Sequence, residues 1–482
     1  MVRSPIVTIL GHVDHGKTTL LDYVRKSSLT QKEHGGITQS IGAYEVDTKI
    51  KGYPISKITF IDTPGHEAFS FLRARGANVS DIAILIIDAK DSVMPQTIES
   101  ITHIKTAKIP YIVAINKVDL PDANPEKVKN DLLKYEVAVE GKGGTVPTVN
   151  ISAKTGQGVP ELLESILLLA SELNLNYSPT NPVQAYIIET EKNKKGIIVS
   201  AIIKDGTLKI GDTIFTNELA TKIRSLSNDL GETVREVNPS SPFTVLGFEK
   251  LPEVGSLITA SSVKGQSATV LTTSEAKKFN LEAILSTKPK EKKISLIIKT
   301  NSLGSMEAIK NALSANENIE IVASTVGEIS KSDVFLAKST NSIIVGFSVP
   351  VIREVLDLAK QEKVIIKTYN IIYELLEELS EVSRLLTEKV EAEKSLKGEA
   401  KVLANFVREG ETIYGVKLTK GKINLADTLE IYRDNKMIGK SKLVSLRIRA
   451  KTVAEVKKNE EAGMIISPQL DIHTGDVVKS IL

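Results

Sequence analysis

Residues 6–26 read IVTILGHVDHGKTTLLDYVRK. A β-branched run, a glycine-bounded loop and a helical apolar pattern follow one another without a break, which reads as strand, turn and helix. The central stretch, GHVDHGKT at 11–18, matches G-x-x-x-x-G-K-[ST] in the strand-to-helix context that gives this pattern its meaning. Gly11 and Gly16 let the backbone turn tightly, so that its N–H groups converge on phosphate oxygens at the helix N-terminus. Lys17 adds a point charge at the β- and γ-phosphates, and the Thr18 hydroxyl is placed to bind Mg²⁺. The expected phosphate contacts are therefore Gly11, His12, Val13, Asp14, His15, Gly16, Lys17, Thr18 and Thr19. His12 and His15 read as packing residues, because no clustered third ligand accompanies them.

Working outward, similar strands recur at ITFID (58–62), IAILIID (82–88), YIVAIN (111–116) and VPTVNIS (146–152), with helical patterns such as VPELLESILLLASEL between strands. That alternation predicts an α/β domain on a parallel sheet. Three strand ends carry polar signatures. NKVD (Asn116, Lys117, Val118, Asp119) and SAK (Ser152, Ala153, Lys154) point to the base. The Asp119 carboxylate can accept from guanine's N1–H and exocyclic amine together, and backbone N–H groups at Ser152 and Ala153 suit guanine's carbonyl oxygen. Adenine offers neither match, and a buried Asp119 would then be left unsatisfied. DTPGH (Asp62, Thr63, Pro64, Gly65, His66) places Asp62 to hold a Mg²⁺-bound water and Gly65 to approach the γ-phosphate. In GGIT (35–38), Thr38 is the candidate second Mg²⁺ ligand. His66 follows the phosphate-sensing glycine, where other GTPases place a Gln that orients the attacking water.

The chain has 482 residues, about three or four domains by length. The fold class expected is α/β multidomain: a P-loop GTPase domain over 1–175, a β-barrel over 182–273, a second, three-layer α/β domain over 290–370, a long connecting helix over 371–397 and a C-terminal β-barrel over 398–482. The helix is read from Ile372, Leu375, Leu379, Val382, Leu386 and Val390, which share one face. At about 1.5 Å per residue it would be roughly 40 Å long. A dimerising coiled coil is the competing reading, but the heptads are too few, and a monomer is expected. Cys is absent, which excludes disulfides, thiolate metal sites and Cys nucleophiles. With no apolar run of about 18 residues and no signal-peptide pattern, a cytoplasmic protein without a membrane partner is expected.

These motifs together resemble translational GTPases, and specifically the bacterial-type translation initiation factor 2 family. The resemblance rests on GHVDHGKT, GGITQSIGAY, DTPGH followed by FLRARGA, NKVD and SAK. It continues through KDGTLKIGD, LIIKTNSLGSMEAI, STVGEISKSDVFLA, IIVGF, YNIIYELLEEL, GVKLTKGKINLAD and SLRIRAK, so it covers essentially the whole chain. It implies GTP and GDP binding with Mg²⁺, and ribosome-stimulated GTP hydrolysis coupled to initiator tRNA placement and subunit joining. It also implies that His66 is the catalytic residue and that Asp14 helps hold a monovalent cation. Only ten residues precede the phosphate loop, so contacts of the family's variable N-terminal region are not carried over. In the last barrel the family's Glu-Cys-Gly and Arg-aromatic pair are replaced by Glu461-Ala462-Gly463 and Ile448-Arg449, which puts the formylmethionine pocket in question. The alternative is another ribosome-dependent translational GTPase, of elongation or selenocysteine-specific type. The second α/β domain and the long helix argue against it. A small-molecule enzyme with a GTPase module is disfavoured, because no second catalytic constellation follows Leu175.

The net charge of +3 is unevenly spread: residues 1–175 carry 19 Lys/Arg against 20 Asp/Glu, whereas 398–482 carry 15 against 11. Lys436–Lys451 holds six cations and no acid. Read as one strand, it turns Arg447, Arg449 and Lys451 to a single outer face and Leu446, Ile448 and Ala450 inward. Such a face suits RNA phosphates.

Overall fold

The computed structural model describes residues 1–26, 38–48, 50–217, 219–260, 293–408, 411–434, 436–449 and 451–481. They form two compact units, Met1–Leu379 and Ser380–Leu482.

The first unit begins with β1 (Ile6–Leu10), α1 (Lys17–Arg25), β2 (Gly42–Asp47), β3 (Lys57–Asp62), α2 (Ser70–Val79), β4 (Ile82–Asp88), α3 (Pro95–Ala107), β5 (Tyr111–Asn116), α4 (Pro125–Leu133), β6 (Thr148–Asn150) and α5 (Val159–Glu172). The strands lie in the order β2-β3-β1-β4-β5-β6. All pairs are parallel except β2 with β3. Every residue of β1 and β4 is buried, because helices cover both faces of the sheet. In β4, Ile82, Ile84 and Ile86 pack towards α1 and α5, while Ala83, Leu85 and Ile87 pack towards α3 and α4. The antiparallel edge strand β2 has no counterpart among the strands read from sequence, since its burial is only partial.

Next comes the expected antiparallel β domain. An eight-stranded sheet starts with the hairpin Gln184–Asn193 and Gly196–Asp205. It encloses a core that includes Ala185, Ile187, Val199, Ala201, Phe243 and Val245. Its last described strand is Leu257–Thr259. The remainder of the expected span, 261–273, and residues 290–292 of the following domain lie outside the described residues. The second α/β domain is a four-stranded parallel sheet ordered Ile319–Val326, Ile294–Thr300, Ile343–Phe347, Ile366–Tyr369. Helix α6 (Leu303–Ser314) packs on one face, and α7 (Lys331–Thr340) with α8 (Arg353–Gln361) on the other. Leu296 and Ile298 face α6, and Ile297 faces α7 and α8, so three layers form as the strand periodicity predicts.

Helix α9 spans Ile372–Ser395, about 36 Å at about 1.5 Å per residue. Its apolar face is shorter than the sequence spacing suggests. Ile372, Leu375 and Leu379 are buried against the second α/β sheet, whereas Val382 is 39% exposed. Leu386 is half-buried, and the Val390 side chain lies outside the described residues. Periodicity reports which residues share a face, but not how far along the helix that face meets a partner.

In the second unit six strands close on themselves in the order Leu396–Arg408, Val477–Ile481, Thr428–Arg433, Lys436–Ile448, Glu461–Ser467, Glu411–Asn424 and back to the first. The interior holds Ala400, Val416, Leu429, Ile431, Leu446 and Met464 among others. Among the described residues no helix is long and apolar enough to cross a membrane.

Candidate nucleotide site

The phosphate loop joins β1 to α1 as its sequence predicts. Gly16 sits at φ +93, and a Cβ there would lie 2.3 Å from Asn116 Nδ2, so both its conformation and its neighbour require glycine. Lys17 is buried and donates to the carbonyls of Gly11 (3.0 Å) and His12 (2.6 Å). Burial pulls its ammonium down to about 8, with the Asp62 charge opposing. His12 and His15 pack edge to face at 5.1 Å between centroids. Burial is the leading cause that lowers both, His15 to about 4. Asp14 is exposed at φ +63, and Thr19 is exposed as well. The Val13 N–H donates to Gln96 Oε1 of α3 at 2.9 Å, a tether with no sequence signature.

The predicted metal-binding oxygens do converge. Thr18 Oγ1 and Thr38 Oγ1 are 2.8 Å apart, and the Thr38 hydroxyl donates to Asp62 Oδ2 at 3.3 Å. Gly35 and Gly36 of the GGIT stretch lie outside the described residues. Gly65 reaches the same place: a Cβ on it would be 2.6 Å from Lys17 Nζ. Thr63 is turned away, donating to the Ile9 carbonyl at 2.8 Å.

At the base end, one side chain ties three segments. Asn116 Nδ2 donates to the His15 carbonyl at 2.8 Å, and Asn116 Oδ1 accepts from the Ala153 N–H at 2.9 Å. Lys117, at φ +62, pairs its Nζ with Asp88 at 2.6 Å, which fixes its side chain. The Val118 N–H donates to the Ile151 carbonyl at 3.3 Å. Ser152 is buried and its Oγ accepts from the Thr155 N–H at 3.2 Å, while Lys154 is exposed. Asp119 is exposed rather than buried. The expected discrimination against adenine would then require a bound base to cover the carboxylate.

His66 caps a single 3-10 turn, Glu67–Phe69, its Nδ1 accepting from the Ala68 N–H at 2.9 Å. Burial, followed by the Arg73 charge, lowers its pKa below the ordinary 6.5. The neutral ring that accepts at Nδ1 carries its proton on Nε2. Arg73, on α2, is fully buried and donates to the carbonyls of Pro64 (2.9 Å) and His66 (2.6 Å). Its other amino group bonds both carboxylate oxygens of Glu99 on α3 at 2.8 Å. Burial would raise Glu99, but bonds from His103, Ser70 and Arg73, together with the Arg73 charge, hold it at about 2. No sequence motif assigns Arg73 a role. Its signal was an arginine between the apolar residues Leu72 and Ala77 of a helix.

The C-terminal cations are arranged differently from the single strand face expected. The strand ends at Ile448, Arg449 takes φ +46, and Lys451 begins a returning strand in which Arg447 pairs with Thr452 and Ile448 with Lys451. A tight reversal interrupts the alternation, so Arg447, Arg449 and Lys451 stand exposed around a hairpin turn. Ala450 lies outside the described residues. Ile448 packs partly on the barrel core and Ala462 is buried within it.

Residues 2–172 match the model of the elongation factor Tu GTP binding domain, 182–261 that of elongation factor G domain 2, and 271–380 that of translation-initiation factor 2. The chain is 43% identical to translation initiation factor IF-2 of Thermotoga sp. (strain RQ2), over 98% of this chain and 70% of that protein. It is 40% identical to the factor of the same name from a Nitratiruptor species, over 99% of this chain and 58% of that one. The crystal structure of GDP-bound aIF5B from Aeropyrum pernix aligns with a TM-score of 0.48 at 26% identity, covering 100% of this chain and 92% of that chain. The expected GTPase fold, guanine-nucleotide binding and initiation-factor reading agree with the family models and the two initiation factors. The chain belongs to the translation initiation factor 2 family, and it is a GTPase.

Proposed function

We propose that this GTPase hydrolyses GTP on the ribosome and couples hydrolysis to initiator tRNA placement and subunit joining. The observation that carries the reading is the meeting of Thr38, Asp62 and Gly65 at Lys17 and Thr18. Two chain segments far apart in sequence converge on the phosphate loop, where a γ-phosphate would hold both. Hard oxygen donors at Thr18, Thr38 and, through water, Asp62 fit Mg²⁺, which would neutralise charge on the β- and γ-phosphates. Asp14, exposed at the loop's tip, is the candidate for holding a monovalent cation.

Lys17 and the loop amides bind the phosphates, and Asp119, Ser152 and Ala153 read guanine. Lys154 flanks that loop and is not required to read the base. His66, neutral and protonated on Nε2, donates to the attacking water or to a phosphoryl oxygen. It thus orients the water and does not take its proton; phosphoryl transfer needs that positioning more than basicity. The water's oxygen forms the new bond to phosphorus, the bond to the β-phosphate oxygen breaks, and the water's proton passes to phosphate.

The hairpin bearing Arg447, Arg449 and Lys451 is the proposed RNA contact. Binding of formylated, unformylated and deacylated initiator tRNA tests the coupling. Affinity should fall in that order. Equal affinity for all three would mean that the last barrel, with Ile448, Arg449 and Ala462, does not recognise the aminoacyl end.

A further inference from the structure

The His66 ring is held by something beyond its own loop. The Ala68 N–H fixes Nδ1, and Phe69 lies edge to face at 6.1 Å between centroids. A second ring comes from far away in sequence. Tyr373, in the first turn of α9, packs against the imidazole with centroids 4.2 Å apart and planes at 69°. Its position is fixed twice over. The neighbouring Ile372 is fully buried in one core with Phe69 and Leu72 of the segment that follows His66. The Ile372 N–H also donates to Gln39 Oε1 at 2.9 Å, while Gln39 Nε2 donates to the Asn370 carbonyl at 2.8 Å. Gln39 follows Thr38 directly, so the onset of α9 is tied to both segments that converge on the phosphate loop. Tyr373 also lies close enough to Asp14 for burial and then that charge to push its phenol up.

We propose that Tyr373 is a positioning residue for GTP hydrolysis: its ring keeps the His66 imidazole in the orientation from which Nε2–H meets the attacking water. This rests on the reading of His66 as the catalytic residue. Edge-to-face packing holds a ring in place without competing for its nitrogens, and a hydrolytic centre that works by positioning is sensitive to displacements of about 1 Å. The GTPase centre is then completed by a helix outside the GTPase domain, and a shift of the α9 onset by one residue's rise, about 1.5 Å, withdraws the support.

The test compares Tyr373→Phe, Tyr373→Leu, Tyr373→Ala and His66→Ala in the full chain, measuring kcat and KM for GTP with ribosomes, GTP affinity by displacement of a fluorescent analogue, and thermal midpoint. Tyr373→Ala should lower kcat about 10- to 100-fold with KM and affinity within about two-fold. Tyr373→Phe should restore kcat, because the ring and not the hydroxyl makes the contact. Tyr373→Leu keeps the apolar volume at the helix onset, so it serves if the alanine variant is unstable, and it should also be slow. In the double variant with His66→Ala the losses should not add. Wild-type or raised kcat in Tyr373→Leu or Tyr373→Ala, a loss matched in affinity, or fully additive losses would overturn the assignment. A normal rate in His66→Ala would instead overturn the catalytic reading on which it rests.

Discussion

Replacing Arg73 by methionine keeps an apolar stem in a fully buried slot and removes the guanidinium that braces the loop carrying His66. The Pro64 and His66 carbonyls each lose a charge-assisted bond, worth about 1.5–3 kcal/mol apiece. Glu99 loses its bidentate partner, but its side chain is 25% exposed and keeps His103 at 3.0 Å, so water offsets much of that loss. A local destabilisation of about 3 kcal/mol follows. Amide exchange across 62–73 should therefore accelerate about 100-fold, at about 1.4 kcal/mol per decade. GTP turnover with ribosomes should fall about 100-fold while GDP affinity holds, because the bracing touches the His66 loop and not the base site. There is also a pH signature. The folded-state pKa of Glu99, about 2, lies below its ordinary 4.5, so the stabilisation is fully present above 4.5 and is lost as pH falls towards 2. The advantage of wild type over Arg73→Met should shrink across that window. Unchanged exchange at 62–73 together with wild-type turnover would refute the bracing role.

Gly16→Ala combines an unfavourable φ of +93 with a Cβ 2.3 Å from Asn116 Nδ2, so the Asn116 tether must break; guanine-nucleotide affinity, measured by fluorescent-analogue titration, should drop more than about 100-fold. Asp119→Asn should weaken GDP by about 30-fold, the loss of about one charge-assisted bond, and should improve xanthine nucleotide binding in the same competition assay. Replacing Arg447, Arg449 and Lys451 by alanine should leave GTP hydrolysis unchanged and lower the salt dependence of tRNA binding by about two in log–log slope.

The GTPase half was legible because its requirements are local. Gly16, Lys17, Asp119 and the DTPGH loop sit at strand ends and helix starts, and strand-to-helix periodicity brackets each one. Arg73 was not legible: a buried arginine at a helical position shows its purpose only when the carbonyls of Pro64 and His66 and the Glu99 carboxylate surround it. Gln96 and Tyr373 act across 83 residues and several hundred residues respectively, where spacing carries no information. The hairpin after Ile448 was missed for another reason. Alternation of cations and apolar residues continues through a reversal without changing its pattern, and only the left-handed φ of Arg449 breaks the strand. The apolar spacing of the long helix runs further than its packing, since the buried apolar side chains of that face end with Leu379 among the described residues.

In the proposed function, this site hydrolyses GTP through His66 in response to the ribosome. The most direct measurement is GTP turnover by wild type and His66→Ala, with and without ribosomes, at saturating GTP. Ribosomes should stimulate wild type strongly and His66→Ala not at all, with GTP affinity retained within about two-fold. Turnover independent of ribosomes, or equal stimulation of the two proteins, would contradict that function.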